Sequence, residues 1–237
     1  MSTLDFTIKT GIEEFNFSKK PVIINTLNPH SYCVSQKDEL FHEALSESDF
    51  LIPDGIGIIW AIKLLSGHKT KRITGYSLHS SLLKHNNKKD GRVFYLGSNP
   101  ETLKKIKDRL KNEYPNIVCG FYSPPYKSNF TTEENKKMIA AVNAFKPNIL
   151  FIGMTAPKQE KWVHKNKKFL DTKIIASIGA VFDFYAGTIK RPGKIWQKMG
   201  LEWLPRFYHE PKRLWRRNLI STPYFIYIVI VKKIGMH

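Results

Sequence analysis

The chain has 237 residues, of which 42% are hydrophobic and 13% aromatic; that supports one large domain, or one with an appendage, and excludes a disordered or collagen-like polypeptide. Two cysteines, Cys33 and Cys119, cannot make a disulfide framework or a four-ligand zinc site. The net charge of +18, from 38 Lys and Arg against 20 Asp and Glu, points to an anionic partner: nucleic acid, a membrane surface or a phosphorylated substrate.

The amino-terminal MSTLDFTIKTGIEEF carries acids and has no apolar stretch of the signal-peptide kind, so a reducing cytosol is expected. PVIINTLN (21–28) reads as the first strand, and a helical pattern with Phe41, Ala44 and Leu45 on one face follows. A short apolar run, Phe50-Leu51-Ile52, closes at Pro53-Asp54-Gly55. Residues 56–65 are apolar nearly all round and predict a buried helix ending at Gly67. Another helix is expected over 76–85. Strand 92–97 leads into Ser98-Asn99-Pro100-Glu101, a cap with proline at the first helical position, and Leu103, Ile106 and Leu110 mark the helix face behind it. Strand 116–122 comes next, and Thr131 and Glu134 have the spacing of a capping box. Strand 148–154, a helix begun at Pro157 and strand 173–179 complete the pattern. Strands alternating with helices predict an α/β fold with a parallel sheet covered on both faces.

Composition changes near residues 188–194. From Lys190 to His237 there are 11 Lys and Arg against 2 acids, together with Trp196, Trp203 and Trp215. The uncharged run 218–231, NLISTPYFIYIVIV, is flanked by Arg216-Arg217 and Lys232-Lys233. It is shorter than the ~20 apolar residues of a spanning helix, and Pro223 is expected to split it. It reads either as an apolar element docked on the core or as an interfacial anchor. The coincidence of charge, tryptophan and apolar run favours the anchor, held on an anionic membrane surface.

No phosphate-binding glycine loop, zincin motif, zinc spacing or Asp-x-Asp pair is present. What remains is polar residues at the carboxyl ends of predicted strands, where open α/β sheets bind ligands. Thr26 and Asn28 end the first strand and either complete a turn or meet a ligand. Asp54 is either a helix N-cap or a carboxylate placed to take a proton from a sugar hydroxyl. A helix N-terminus would lower its pKa and a bound diphosphate would raise it. Gly55 lets a ligand approach the backbone. Lys158, Gln159 and Glu160 resemble a solvated helix start, although free N–H groups behind Pro157 suit a phosphate. Asp183, between Phe182 and Phe184, is a buried acid or a ligand contact. Arg206, Arg213, Arg216 and Arg217 form a solvated basic face, or a clamp in which Arg213 and Arg217, one turn apart, grip a diphosphate. His30 and His164 are expected at the surface.

In consistent order over about residues 20–218, the segments TLNPH (26–30), LIPDGIGIIWA (51–61), KRITG (71–75), VFYLGSNPE (93–101), APKQEKW (156–162), GAVFDFYAGTIKRP (179–192) and GLEWLPRFYHEPKRLWRRN (200–218) are similar to the WecG/TagA/CpsF family of bacterial glycosyltransferases. The resemblance implies a Rossmann-like core over 1–190 and a basic, aromatic helical appendage over 191–237 that closes the site and touches the membrane. It implies an inverting transfer, without metal or cofactor, from a UDP-sugar to a polyprenyl-diphosphate-linked saccharide at the inner face of the cell membrane. The sugar would be of the N-acetylmannosamine, N-acetylmannosaminuronate or glucose type. The family's base falls on Asp54, its first-strand Thr and Asn on Thr26 and Asn28, its Gln on Gln159, and its appendage arginines on Arg206, Arg213 and Arg216 or Arg217. Ser77 stands where the family often has an acid. Pro205 replaces an aromatic, so the appendage helix is expected to kink or start late. A homo-oligomer is left open. The alternative is a basic nucleic-acid-binding α/β protein, against which stands the lack of any helix-turn-helix, zinc or RNP pattern; no nucleic-acid partner is expected.

Overall fold

In the computed structural model, residues 2–8 and 21–235 are described. A small antiparallel hairpin, β1 (Ser2–Thr3) and β2 (Phe6–Thr7), with no counterpart among the predicted elements, precedes the sheet. The predicted apolar runs then form β3 (Val22–Leu27), β4 (Phe50–Pro53), β5 (Arg92–Gly97), β6 (Val118–Tyr122), β7 (Ile149–Gly153) and β8 (Ile174–Ser177). They pair as one six-stranded sheet in the order β4-β3-β8-β7-β5-β6, every pairing parallel.

The helices between them are α1 (Pro29–Ser35), α2 (Glu39–Ser46), α3 (Ile56–Ser66), α4 (Gly75–Asn87), α5 (Pro100–Glu113), α6 (Thr132–Phe145), α7 (Lys158–Asn166) and α8 (Val181–Ala186). The two-residue strand period sends alternate side chains to opposite faces. On one face Val22, Ile24, Tyr95 and Phe151 pack under Leu78 and Leu82 of α4, Leu103 and Ile106 of α5, and Phe182 of α8. On the other, Ile23, Phe94 and Ile152 pack under Met138 of α6 and Trp162 of α7. Caps fix where these helices begin. Asn99 Oδ1 accepts from the Thr102 N–H at 2.8 Å at the head of α5, and Thr131 and Glu134 form the expected reciprocal box at α6.

Three expectations differ from the structure: those for α3, for Pro205 and for Pro223. Helix α3 ends at a left-handed Gly67 as anticipated, but it is not buried all round. Ile58, Ala61 and Ile62 face the core, whereas Ile56 and Trp60 are about half exposed. Pro205 neither delays nor precedes its helix, because α10 (Trp203–His209) begins two residues before it, within the first turn where a missing N–H costs nothing.

Beyond α9 (Lys194–Lys198) and α10, α11 (Pro211–Trp215) runs into a π-helical stretch, Arg216–Ser221, and then into α12 (Thr222–Ile234). Pro223 therefore occupies the first turn of α12 and does not split the apolar run. One stripe of α12 docks: Phe225 and Val229 are buried among Leu4, Phe6, Tyr32 and Ile58. Lys232 reaches Asp5 at 2.7 Å, and His30 Nδ1 lies 2.8 Å from Ser221 Oγ. The apolar element is thus both docked and, along its other stripe, exposed. Among the described residues no helix is long and apolar enough to cross a membrane.

Candidate active site

Sheet order brings the sequence candidates together. Thr26 near the end of β3 and Asn28 just after it, Asp54 and Gly55 after β4, Gln159 after β7 and Asp183 after β8 belong to four strands that are consecutive in the sheet. Their carboxyl ends form one edge, which the segment after residue 190 covers. A cavity of about 290 Å³ at the opposite edge, beside His85, Asn86 and Lys173, holds none of them.

Asp54 follows β4 directly, tied to β3 by its N–H to the Leu27 carbonyl at 2.8 Å. It is not an N-cap. That position belongs to Gly55, whose φ of +103° and ψ of 146° only glycine adopts readily, and which makes no side-chain cap. The Asp54 carboxylate has no hydrogen-bond partner among the described residues. Its pKa lies above the ordinary value, contrary to the lowering expected from a helix terminus. Burial dominates, outweighing the nearby Arg72, Arg217 and Arg206, and Glu202 adds to the rise.

The arginines separate into two groups. Arg206 lies over the Phe184 ring at 5.0 Å, with its Nε buried and unpartnered. Burial and the neighbouring Arg217 and Arg213 depress its pKa, and Arg217 is likewise depressed by burial. Cations that disfavour each other's charge around one carboxylate make a site short of negative charge. Arg213 is exposed, paired with Glu210, and sits within electrostatic reach of Asp183 and Arg206 at the rim. Arg216 is exposed and stacked on Trp215 at 5.4 Å. Of the Arg216-or-Arg217 alternative, Arg217 is therefore the one in the cleft, and Arg216 is not brought to it.

The remaining candidates divide as well. Asn28 caps α1: its Oδ1 accepts from the His30 and Ser31 N–H groups at 3.0 and 3.1 Å. Only its amide nitrogen is left for a ligand. Thr26 is partly buried, level with Ile52 across the β3–β4 pair. Asp183 is partly buried and bonded by Thr188 at 3.4 Å; burial holds its pKa up. Gln159 and Glu160 are buried, 4% and 2% exposed, so the expected solvated helix start is wrong here. Gln159 Nε2 donates to Glu160 Oε1 at 2.8 Å. Burial without a countercharge lifts the Glu160 pKa to about 7. Neither histidine is a plain surface residue: His30 is held against Ser221, and His164 is flanked by Glu43 and Glu47 at 3.7 and 3.5 Å.

Three residues of the site were not singled out from sequence. Glu202 bonds Arg72 at 2.8 Å and Arg191 at 3.0 Å, which ties the α3–α4 connection to the segment that covers the cleft. These bonds and charges hold its carboxyl below the usual range although burial opposes them. Phe184 is the platform for Arg206. Arg72 lies in the quoted KRITG segment, a signal that was available. Ser77, at the family's acid position, completes a capping box with Thr74 at the head of α4.

A sequence profile described as the glycosyl transferase WecG/TagA/CpsF family matches residues 5–237. The chain belongs to the WecG/TagA/CpsF family of glycosyltransferases. It is 31% identical over 232 residues to the N-acetylglucosaminyldiphosphoundecaprenol N-acetyl-beta-D-mannosaminyltransferase of Bacillus subtilis (strain 168), covering 98% of this chain and 87% of that one. Proteins of the same name from Bacillus spizizenii (89% of this chain and 79% of that one) and Staphylococcus aureus strain MRSA252 (92% and 83%) are 29% and 28% identical. The α/β core and the glycosyltransferase assignment reached from the sequence segments therefore hold for this member of the family.

Proposed function

We propose that this glycosyltransferase moves a sugar from a UDP-sugar to a polyprenyl-diphosphate-linked saccharide, with inversion, in the synthesis of a cell-surface polymer. The activities named for the relatives support an N-acetylmannosaminyl group as the sugar and a diphosphoundecaprenol-linked N-acetylglucosamine as the acceptor. One observation carries the mechanism: Asp54, a carboxylate without a hydrogen-bond partner among the described residues, lies within electrostatic reach of Arg72, Arg206 and Arg217 at the carboxyl edge of the sheet.

In this reading Asp54 removes the proton from an acceptor hydroxyl as its oxygen attacks the anomeric carbon. The bond from that carbon to the diphosphate oxygen breaks on the opposite face, and UDP leaves with the electron pair. A carboxylate made more basic by burial takes that proton more readily than a solvent-exposed one, and general-base help of this kind is worth ~10²–10⁴-fold. Arg206 and Arg217 balance the charge that grows on the leaving diphosphate. Phe184 holds Arg206 in place. Arg213 at the rim, the amide of Asn28, Thr26, Gln159 and Asp183 orient the two substrates, and juxtaposition can lower the barrier by ~7–11 kcal/mol. Backbone at Gly55 is open to close approach.

The segment over 191–237 is read as a membrane-associating appendage to a catalytic core over 1–190. Leu219, Ile220, Tyr227, Ile230, Val231 and Ile234 are all 43% or more exposed, and the exposed Lys212, Arg213 and Arg216 lie on the same stretch of chain. An apolar stripe beside cations suits the boundary of an anionic leaflet, where a polyprenyl acceptor resides. The test is a screen of UDP-sugars for UDP release with a short-chain polyprenyl-diphosphate N-acetylglucosamine. Acceptor-dependent release from UDP-N-acetylmannosamine is expected; release that needs no such acceptor contradicts the reading.

A further inference from the structure

Glu160 carries a cost that the mechanism above does not explain. Its carboxylate is buried without a cationic partner among the described residues, Oε2 bonds nothing, and Oε1 accepts from Gln159 Nε2 at 2.8 Å. A buried charge without a countercharge is expensive. The contact does decide one thing. A side-chain amide has a donor end and an acceptor end, whereas an ionised carboxylate only accepts. With Glu160 ionised, the NH₂ end of Gln159 faces it, because the flipped amide would set two acceptor oxygens 2.8 Å apart. That leaves Gln159 Oε1 buried and unpartnered. The amide lies beside the turn after β8, where a Cβ on Gly179 would come 3.6 Å from Oε1 and 3.7 Å from Nε2 and where φ is +51°.

We infer that Glu160 is a positioning residue: it locks the Gln159 amide so that its carbonyl oxygen is presented to the ligand, and this corner of the cleft takes an O–H or N–H group of the sugar nucleotide. Gln159 then selects for a hydrogen-bond donor at that point and against an acceptor. The inference rests on the sugar-nucleotide reading for the ligand, but the lock itself does not.

Three variants separate the possibilities. Glu160→Gln keeps an oxygen that can accept from Gln159 Nε2. Glu160→Met removes it at similar length, and Gln159→Met removes the amide. Affinity for UDP and UDP-sugar is read by calorimetry, steady-state kinetics give the sugar-donor KM and kcat, and hydrogen exchange of the Gln159 side-chain amide is followed by NMR. Glu160→Met is expected to raise Kd and donor KM about tenfold, the size of one lost hydrogen bond. It should leave kcat within about threefold and the melting temperature undiminished. Glu160→Gln should recover most of the affinity. The double variant Gln159→Met/Glu160→Met should bind no worse than Gln159→Met alone, since the two residues act as one unit. The inference is overturned by unchanged affinity in Glu160→Met, or by a double loss equal to the product of the single losses. If the wild-type protein binds no sugar nucleotide, the reading of the ligand fails. Slow exchange of the Gln159 amide, lost in Glu160→Met and kept in Glu160→Gln, would then still support the lock, and fast exchange in the wild type would refute it.

Discussion

At the scale of single residues, carboxylate environments carry the chemistry. Asp54 and Glu160 both sit where burial raises the pKa, with different surroundings. Arginines stand near the first; the second meets the Gln159 amide and no cation among the described residues. That difference predicts a pH signature. A carboxyl whose pKa is about 7 when folded, against an ordinary 4.5, favours the folded state below pH ~4.5, and that contribution is lost as pH rises through ~7. Glu160→Gln has no such titration. Thermal melts at pH 5 and pH 8 should therefore show the variant gaining on the wild type as pH rises, by up to about 3 kcal/mol, and levelling off above pH 7. A constant gap across that window would mean that Glu160 is not held up by burial. Much at this scale was legible in the chain. Asp54 after a short apolar run and before a glycine marked a strand end, and Arg206 and Arg217 lay in a quoted segment. Burial of Gln159 and Glu160 was not legible, because two polar residues behind a proline look the same whether solvent or Gly179 lies above them.

At the scale of elements, the β4–α3 connection decides where Asp54 points. Gly55 takes a backbone conformation that costs other residues about 1–3 kcal/mol, and a Cβ on Gly57 would sit 2.8 Å from Pro29 Cγ. The glycine pair thus lets α3 close against the start of α1 while Asp54 stays bonded to β3. Gly55→Ala is expected to lower stability by about 1–3 kcal/mol in chemical denaturation and to reduce kcat more than donor KM, because the carboxylate is displaced. An alanine variant with wild-type melting would remove the claim of backbone constraint. Strand identity was readable from the apolar runs and their caps. Strand order was not, because β8 inserts between β3 and β7 through contacts far apart in sequence. The exposure of Ile56 and Trp60 was not legible because periodicity shows no polar face on α3; Ile56 instead lies beside the carboxyl-terminal segment, where a Cβ on Gly200 would sit 3.0 Å from its Cβ.

At the scale of the whole molecule, half of the excess charge lies in the last fifth of the chain; Arg206 and Arg217 of it stand by Asp54, and Lys212, Arg213 and Arg216 are exposed just ahead of the apolar stripe. The sequence suggested a docked element or an anchor as alternatives; α12 combines the two, with Phe225 and Val229 inward and Tyr227, Ile230 and Val231 outward. Flotation with anionic vesicles should recover the protein, with binding that weakens as salt rises above ~150 mM. Replacing Leu219, Tyr227 and Ile230 with serine should abolish flotation while the melting temperature holds, since none of the three is buried. Undiminished flotation of that triple variant would place the membrane contact elsewhere.

The central claim is that a carboxylate among arginines at the sheet's carboxyl edge activates the acceptor. The most direct measurement is transfer from UDP-N-acetylmannosamine to a short polyprenyl-diphosphate N-acetylglucosamine by wild type and Asp54→Asn, with UDP affinity measured alongside. The account predicts that kcat falls ~10²–10⁴-fold while UDP binds as tightly as before or more tightly. Transfer by Asp54→Asn at the wild-type rate would contradict it.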